Sequence, residues 1–390
     1  MISYGKQTID RTDIEALVDV LKSDWLTQGP AITNFENDLR SYFGSDYACA
    51  LANGTAALHL AGLALGWTKN DIIITTPITF LATANCILYS GATPDFVDID
   101  PKTYTIEPNL LEEKVDFYRS NGKNIKAIIG VDYAGHPCDW KSLRQIADKY
   151  DLTLINDNCH AMGSLYDGSK KYAIKYADVI TQSYHPVKHI TTGEGGSVLS
   201  NNKDLIDKII SLRSHGIVHG NDKSELNHDD PWYYEMQKLG YNYRITDFQC
   251  ALGSNQLRKL EDFIAKRLLI AEKYNQYFKE INNLIIPFVN RNVQHSYHLY
   301  PLQINFKSFE INKRDFFIRM KKSGINLQVH YIPIHYQPFY ANKFGFKKGD
   351  FPNSEKFYDN VFSMPIFPSL NSKDLRFIID STIKHLSIKK

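Results

Sequence analysis

Short apolar runs alternate with helical patterns between about residue 45 and residue 200. Several of the runs are almost continuously apolar, which is typical of strands buried on both faces. The predicted strands are Ile72–Thr75, Thr93–Asp98, Ile125–Val131, Leu152–Ile155, Asp178–Gln182 and Gly196–Ser200, and the helices predicted between them are Ala56–Leu65, Ala82–Tyr89, Pro108–Arg119 and Trp140–Lys149. This alternation predicts an α/β domain with a mostly parallel sheet.

The pattern changes after residue 200. Helices are predicted over Lys203–Ser214 and over Thr246–Phe278, the second long enough to bridge two domains. Nearer the C-terminus, a strand is predicted at Leu299–Ile304, with helices over Asp315–Ser323 and from about Leu370. We predict a large α/β domain over residues 22–260. A smaller α+β domain would combine residues 261–390 with residues 1–21 and their predicted helix, Thr12–Leu21.

Composition and charge narrow the class of protein. The 390 residues are 43% hydrophobic, enough for a large core without disulfides. Lys and Arg number 45 against 43 Asp and Glu, without long runs of one sign, so neither nucleic acid nor a membrane surface is an expected partner. No apolar run approaches the ~20 residues of a membrane span. Five scattered cysteines and the absence of a signal-peptide pattern favour a cytoplasmic location.

One lysine lies where a reactive amine would be useful. Lys188 stands between a predicted buried strand and a glycine-rich turn at Gly193–Gly196. Buried lysines shift their pKa readily and form Schiff bases, although a surface lysine in a hairpin loop explains this segment equally well. Tyr184 and Lys188 also have the spacing of short-chain dehydrogenases. Pro186 between them opposes the helix that such a site requires.

Two further segments add a carboxylate and an anion site. Asp157 follows the end of a predicted buried strand, where ligands of open α/β sheets bind, but it also suits an ordinary turn or helix cap. Gly54 and Thr55 open a predicted helix whose free N–H groups favour phosphate, or which is simply capped. Together, the lysine, the carboxylate and the anion site are the groups that pyridoxal 5′-phosphate (PLP) requires.

The chain resembles the DegT/DnrJ/EryC1/StrS sugar aminotransferases, which have PLP-dependent transferase fold type I, as in aspartate aminotransferase. The resemblance covers nearly the whole chain. Its motifs are Trp25–Pro30, Gly54–Leu58, Thr79–Asn85, Gly91–Asp98, Asp157–Gly163, Ser183–Lys188, Glu194–Gly196, Arg213–Gly216 and Gly240–Arg244. The resemblance implies a large domain with a mostly parallel sheet and a smaller C-terminal α+β domain.

The resemblance also implies roles for individual residues. Lys188 would form the Schiff base with PLP and carry the proton between Cα and the cofactor, and Asp157 would pair with the pyridine nitrogen. Phe80 would stack on the ring, and His160 would lie near the 3′-oxygen of the cofactor.

The phosphate of the cofactor would be held by residues from two chains. The resemblance implies that Gly54, Thr55 and Ser183 bind it from one chain. Asn242 would reach the phosphate of the neighbouring subunit, which implies a homodimer with shared active sites.

Within the family, the chain resembles the transaminases of pseudaminic acid biosynthesis. Those enzymes move an amino group from L-glutamate to C4 of UDP-2-acetamido-2,6-dideoxy-β-L-arabino-hexos-4-ulose. The similarity is carried by Gln328–Ile334, Thr75–Phe80, Val131–Gly135 and Ser183–Thr192, with Tyr184 where Phe is usual. The substrate-binding residues that this implies are Tyr4, Asp24, Trp25, Leu26, Thr27, Arg244, Gln328, Val329, His330 and Tyr331.

Three alternatives remain at this point. The same chemistry could serve another nucleotide-4-keto sugar, of the bacillosamine, perosamine or aminoarabinose type. A family dehydratase is disfavoured because those enzymes replace the lysine with histidine, and this chain keeps Lys188. A PLP-binding regulatory protein without activity is opposed by Lys188 together with Asp157.

Two histidine pairs have spacings found in metal sites, His215/His219 and His295/His298. Glycines at 216 and 220 oppose a helical pair in the first case, and no cluster of Cys or Glu lies near either. We therefore expect no metal site.

Overall fold

A computed structural model of the chain describes residues 1–219, 225 and 230–386. Its first eight strands are β1 Tyr47–Leu51, β2 Asp71–Thr75, β3 Thr93–Phe96, β4 Asn124–Val131, β5 Thr153–Asp157, β6 Leu165–Tyr166, β7 Val179–Ser183 and β8 Gly196–Ser200. All but β6 form a seven-stranded sheet of order β1-β8-β7-β5-β4-β2-β3. The strands from β7 to β3 are parallel, and β8 runs antiparallel to both its neighbours. The predicted α/β domain with a mostly parallel sheet is confirmed.

Helices cover both faces of this sheet. They are α1 Arg11–Leu21, α2 Pro30–Phe43, α3 Gly54–Ala64, α4 Leu81–Tyr89, α5 Pro108–Ser120, α6 Trp140–Tyr150, α7 Tyr172–Tyr176 and α8 Lys203–Arg213. Side-chain caps begin several of them: Asn53, Glu107, Asp139 and Asn202 each accept the backbone N–H three residues on. Helices α2, α5 and α6 pack into one hydrophobic core, and α3, α4 and α8 into the core on the opposite face.

The long helix predicted over Thr246–Phe278 is two helices. Helix α9 spans Asp247–Arg258 and α10 spans Leu260–Phe278. Lys259 between them has φ −99° and ψ 0°, away from ideal helical values, and its ammonium group reaches the carboxylates of Asp10 and Asp13. Because helical patterns run on both sides of this single residue, the sequence reads as one helix.

The C-terminal part forms a separate, smaller core. The remaining strands are β9 Ile217–His219, β10 Tyr234–Met236, β11 Leu284–Ile285, β12 Val293–Gln294, β13 Tyr300–Ile304 and β14 Val361–Met364. The remaining helices are α11 Lys313–Lys322, α12 Pro338–Phe344, α13 Pro352–Asn360 and α14 Ser372–His385. A three-stranded antiparallel sheet of order β11-β13-β14 packs against α11 and α14.

The N-terminal residues contact both cores. Ile2 pairs with Ile325 and packs against the smaller core. Helix α1 lies against α9, where the fully buried Asp13 accepts hydrogen bonds from Asn255, Gln256 and Lys259. The division at residues 21/22 and 260/261 stays a prediction. Among the described helices, none combines the length and apolarity needed to cross a membrane.

Candidate active site

A cavity of about 1010 Å³ opens at the carboxyl edge of the parallel strands. This edge is where ligands of open α/β sheets bind. The predicted site residues that line it are Tyr4, Gly54, Thr55, Phe80, Asp157, His160, Ser183, Lys188, Gln328, Val329, His330 and Tyr331. Side chains far apart in the sequence are therefore brought to one place.

The first turn of α3 forms one end of the cavity. Asn53 caps the helix, because its Oδ1 accepts the N–H of Ala56 at 2.8 Å. Within the described residues, the N–H groups of Gly54 and Thr55 have no acceptor, as expected for the first turn of a helix. A Cβ on Gly54 would lie 2.8 Å from the Cβ of Ser183, so only glycine allows this close approach to the end of β7. The arrangement suits a phosphate group.

Asp157 ends β5 with its carboxylate held by neutral donors. The Thr83 hydroxyl donates to Oδ2 at 2.7 Å, and the Cys159 N–H donates to Oδ1 at 3.3 Å. Thr83 in turn lies 2.8 Å from Thr79 Oγ1, and since it donates to Asp157 it accepts from Thr79. In the described part of the chain, no Lys or Arg forms an ion pair with Asp157. The carboxylate is therefore free to pair with a protonated ring nitrogen.

Lys188 lies in the loop between β7 and β8, as the sequence predicts. Its side chain is half-buried and lines the cavity. Burial lowers the pKa of Lys188, while the nearby Cys159 and Asp157 act in the opposite direction. Because a neutral amine is the nucleophile, the lowered pKa favours attack on a carbonyl.

His160 sits deep in the wall of the cavity. The Ala134 N–H donates to Nδ1 at 3.3 Å, and Nε2 lies 3.1 Å from the Tyr331 hydroxyl oxygen. Its ring centroid is 4.3 Å from that of His298. Burial, with a smaller effect of the Lys188 charge, holds the pKa of His160 well below its usual range. The imidazole is therefore neutral at neutral pH.

The segment 328–332 closes the cavity from the smaller core. The Tyr133 hydroxyl donates to the carbonyl of His330, and the carbonyl of Gln328 accepts from the N–H of Ser363 at 2.7 Å. His330 Nδ1 lies 2.8 Å from Ser363 Oγ, and the Tyr4 ring lies 4.9 Å from the His330 ring. Burial, assisted by the Lys188 charge, lowers the pKa of His330 to about 3.

Six predicted residues do not line this cavity: Asp24, Trp25, Leu26, Thr27, Asn242 and Arg244. Trp25 and Leu26 are 54% and 48% exposed. Residues 24–27 lie beside the segment that follows Arg244, since Thr27 pairs with Thr246 and the carbonyl of Leu26 accepts the N–H of Asp247. Their assignment to a binding site stays a prediction, because one chain alone does not bring them to the cavity.

Several lining residues were missed by sequence reasoning: Asn53, Thr83, Tyr89, Cys159, Glu194, Tyr243, His298 and Gln337. Thr83 stands inside the motif Thr79–Asn85, where a polar residue in an apolar helix was a usable signal. His298 drew notice only for its spacing from His295. Among the described residues, no three His, Cys, Asp or Glu side chains are grouped to hold a metal ion. The side chain of His219 lies outside the described part of the chain.

Comparisons with known proteins agree on one family. The profile of the DegT/DnrJ/EryC1/StrS aminotransferase family matches residues 7–382. The UDP-4-amino-4,6-dideoxy-N-acetyl-β-L-altrosamine transaminase of Campylobacter jejuni is 40% identical over 392 residues, which cover 100% of this chain and 99% of that protein.

Solved structures of similar proteins share the fold. Helicobacter pylori PseC, an aminotransferase involved in pseudaminic acid biosynthesis, superposes with a TM-score of 0.89 at 32% identity over 99% of both chains. The PLP form of the putative sugar aminotransferase Spr1654 from Streptococcus pneumoniae has a TM-score of 0.87 at 26% identity over 98% of both chains. The prediction of fold type I is confirmed.

Proposed function

Because this chain belongs to the DegT/DnrJ/EryC1/StrS aminotransferase family, we propose that it aminates C4 of a UDP-linked 4-keto-6-deoxy-N-acetylhexosamine. It is a PLP-dependent sugar aminotransferase. The proposed acceptor is UDP-2-acetamido-2,6-dideoxy-β-L-arabino-hexos-4-ulose, the proposed donor is L-glutamate, and the proposed process is pseudaminic acid biosynthesis in the cytoplasm. The 40% identity to the C. jejuni altrosamine transaminase over the whole chain supports this choice.

The cavity fits the cofactor of the family. The observation that carries the proposal is the meeting of Lys188, the Asp157 carboxylate and the free N–H groups of Gly54 and Thr55 in one cavity. Asp157 would hold the protonated pyridine nitrogen, and the first turn of α3 with Ser183 would hold the phosphate. When bound, PLP supplies an electron sink that lets a proton leave the Cα of an amino acid.

Lys188 would carry out the proton transfers of the reaction. Since burial favours its neutral form, Nζ would take the proton from Cα of the amino donor and pass it to the cofactor. In the second half-reaction, the same atom would take a proton from the cofactor side and deliver it to C4 of the sugar. The Thr83 hydroxyl and the Cys159 N–H hold the Asp157 carboxyl group in place, where it would pair with the ring nitrogen.

Recognition of the sugar is assigned to the other end of the cavity. We propose that Tyr4 and residues 328–331 contact the nucleotide sugar, because they line the same space as Lys188. A volume of about 1010 Å³ is at the upper end of small-molecule sites and leaves room for a ligand beside the cofactor. The neutral His330 offers hydrogen bonds without a charge.

A homodimer would complete the site. We propose that Asn242, Arg244 and residues 24–27 reach the cavity of the neighbouring subunit, because they lie side by side outside the cavity of their own chain. Large exposed apolar side chains favour a partner surface on the described chain: Trp25, Leu26, Trp232, Tyr234, Met236 and Leu239.

An absorbance titration tests the proposal. Purified enzyme loaded with PLP should show a yellow band, and L-glutamate should bleach it while 2-oxoglutarate accumulates. A panel of nucleotide-4-keto sugars then identifies the acceptor as the sugar that restores the band. Restoration by a perosamine-type or aminoarabinose-type substrate alone would replace the proposed acceptor. Protein that stays colourless after incubation with PLP would remove the transaminase proposal.

A further inference from the structure

The hydrogen bonds of His160 fix which ring nitrogen carries a proton. The backbone N–H of Ala134 donates to Nδ1, and since an N–H can only donate, Nδ1 carries no proton. A protonated Nδ1, in the other neutral tautomer or in a charged ring, would point a second donor at Ala134. His160 is therefore a neutral imidazole with its proton on Nε2.

This tautomer sets the direction of the next hydrogen bond. Nε2 lies 3.1 Å from Tyr331 Oη, so Nε2–H donates and the phenolic oxygen accepts. The hydroxyl proton of Tyr331 then points away from His160. The described residues offer this proton no other acceptor, and Tyr331 lines the cavity. It is available to a bound ligand.

A single turn holds both ends of this arrangement. Ala134 has φ 59°, a left-handed conformation that residues other than glycine rarely adopt, and this conformation aims its N–H at His160. The turn is tied on one side by the Tyr133 hydroxyl, which donates to the carbonyl of His330. On the other side, the Leu299 N–H donates to the Ala134 carbonyl at 3.2 Å. The fold therefore fixes the direction of this relay, the chain of hydrogen bonds from the Ala134 N–H through His160 to Tyr331.

We propose that Tyr331 is a specificity-determining donor, whose hydroxyl gives a hydrogen bond to an acceptor oxygen of the ligand in the cavity. His160 and the Ala134 N–H are the positioning groups that fix its direction. The inference rests on the proposed function. The acceptor can be the phenolic 3′-oxygen of PLP or an oxygen of the nucleotide sugar, since both present lone pairs. A ligand that offers a donor at this point is disfavoured, because two donors would face each other.

The protonation of His160 can be measured directly. Full-length protein with ¹⁵N-labelled histidine is examined by NMR across the neutral pH range, and His160→Gln identifies the His160 signals. We expect a protonated Nε2 and a bare Nδ1. A proton on Nδ1, alone or with Nε2, would overturn the direction of the relay. This measurement needs neither substrate nor turnover, so it stands even where the proposed sugar proves wrong.

The donor role is tested by Tyr331→Phe, which removes the hydroxyl and keeps the ring. The first arm measures the Kd of PLP for cofactor-free enzyme, and the second measures the KM of the keto sugar. The arm that weakens by about tenfold identifies the source of the acceptor oxygen. Tyr118→Phe is the matched control, because it loses a phenolic hydrogen bond to Asp95 away from the cavity. No change in either arm would refute the donor role.

The positioning role is tested by coupling. In a His160→Phe background the Tyr331 hydroxyl is free to turn, so the further change Tyr331→Phe should weaken the affected arm by less than about threefold. His160→Gln, which keeps a donor near Nε2, should restore most of the binding and serves in place of His160→Phe should that variant not fold. Equal effects of Tyr331→Phe in both backgrounds would show that His160 does not direct the hydroxyl.

Discussion

Burial, not a neighbouring cation, prepares Lys188 for its reaction. Either removal from water or a nearby cation can lower the pKa of a lysine. In the structure, removal from water lowers the pKa, and the nearby groups of Asp157 and Cys159 partly oppose it. The pKa of the amine is therefore set mainly by how far its loop, between β7 and β8, removes it from water.

Removing this amine should abolish transamination without unfolding the protein. We expect Lys188→Ala to lower kcat by at least about 10³-fold, since base and nucleophile are lost together. Turnover of glutamate and the yellow band are the measurements, and circular dichroism checks the fold. Lys188→Arg is the matched control, because it keeps a cation that cannot act as the base. Full activity in either variant would contradict the mechanism.

Thr83 should control the affinity for the cofactor through Asp157. Thr83→Val keeps the shape but removes the donor at 2.7 Å and leaves the Thr79 hydroxyl without its acceptor. A hydrogen bond to a charged group contributes about 1.5–3 kcal/mol, so the Kd of PLP should rise at least about tenfold. Thr83→Ser retains the hydroxyl and should bind PLP nearly as the native protein does. Equal affinities in Thr83→Val and Thr83→Ser would show that the hydroxyl is not used.

His330 should make the stability fall with acid. Its pKa drops from 6.5 to about 3 on folding, so between these values the unfolded chain binds a proton that the folded chain does not. Stability from this group is complete above pH ~6.5 and is lost as the pH falls toward ~3. Between about pH 7 and pH 5, the native protein should lose roughly 2 kcal/mol more than His330→Gln. Denaturant unfolding at both pH values measures this, and parallel losses would contradict it.

Whether the role of a residue can be predicted from the sequence depends on how far away in the chain its partners lie. Lys188, Asp157 and Gly54 lie in local motifs that are typical of strand ends and turns, so their positions in the fold could be predicted from the sequence. Thr83 acts on a carboxylate 74 residues away, and no local pattern carries that information. His298 has the same difficulty, because it joins the site through its contact with the ring of His160, 138 positions earlier in the chain.

Among the elements, the junction of α3 with β7 carries the most function. Gly54→Ala places a Cβ 2.8 Å from that of Ser183, so the first turn of α3 must move. We expect a loss of about 1–3 kcal/mol in unfolding free energy and a weaker Kd for PLP. The control is Gly66→Ala just after α3, which strains a left-handed glycine with no neighbour within 4 Å. It should lower stability and leave the affinity unchanged. Unchanged PLP affinity in Gly54→Ala would contradict the assigned phosphate site.

Most strands of the large sheet can be predicted from their local sequence. Each of the six strands predicted between residues 45 and 200 corresponds to a strand of the seven-stranded sheet, and several of them are marked by nearly continuous apolar runs, typical of burial on both faces. Strand β1, Tyr47–Leu51, was missed because its small residues give a weak signal, and its place at the edge of the sheet comes from pairing with the distant β8. The break at Lys259 was missed because the residue fits a helix locally, and only its ion pairs with Asp10 and Asp13 reveal the junction.

At the scale of the whole molecule, shared sites predict complementation between inactive variants. Lys188→Ala and Asn242→Ala each remove one half of a site that two chains would build. A mixed dimer regains one site with both residues intact, so remixing equal amounts should restore about a quarter of native activity. Activity after mixed refolding or subunit exchange is the measurement, and light scattering gives the oligomeric state. The control pair is Lys188→Ala with Asp157→Ala, two residues of one chain.

The two mixtures should differ in a definite way. In the control pair, one site of the mixed dimer lacks Lys188 and the other lacks Asp157, so activity should not return. If Lys188→Ala with Asn242→Ala also stays inactive after subunit exchange has been shown with two differently tagged chains, Asn242 serves its own chain. The domain boundaries likewise belong to this scale. Sequence could not fix them, because the N-terminal residues contact both cores.

The mounting of segment 328–332 has an evolutionary consequence. The Tyr133 hydroxyl and the Ser363 N–H hold this segment by hydrogen bonds to the backbone carbonyls of His330 and Gln328. These two bonds do not depend on which side chain the segment carries at either position. Mutations in this segment can therefore accumulate without dislodging it, while the lysine, carboxylate and helix terminus across the cavity stay constant. One fold can in this way give rise to paralogues that aminate different sugars while all of them keep the same catalytic groups.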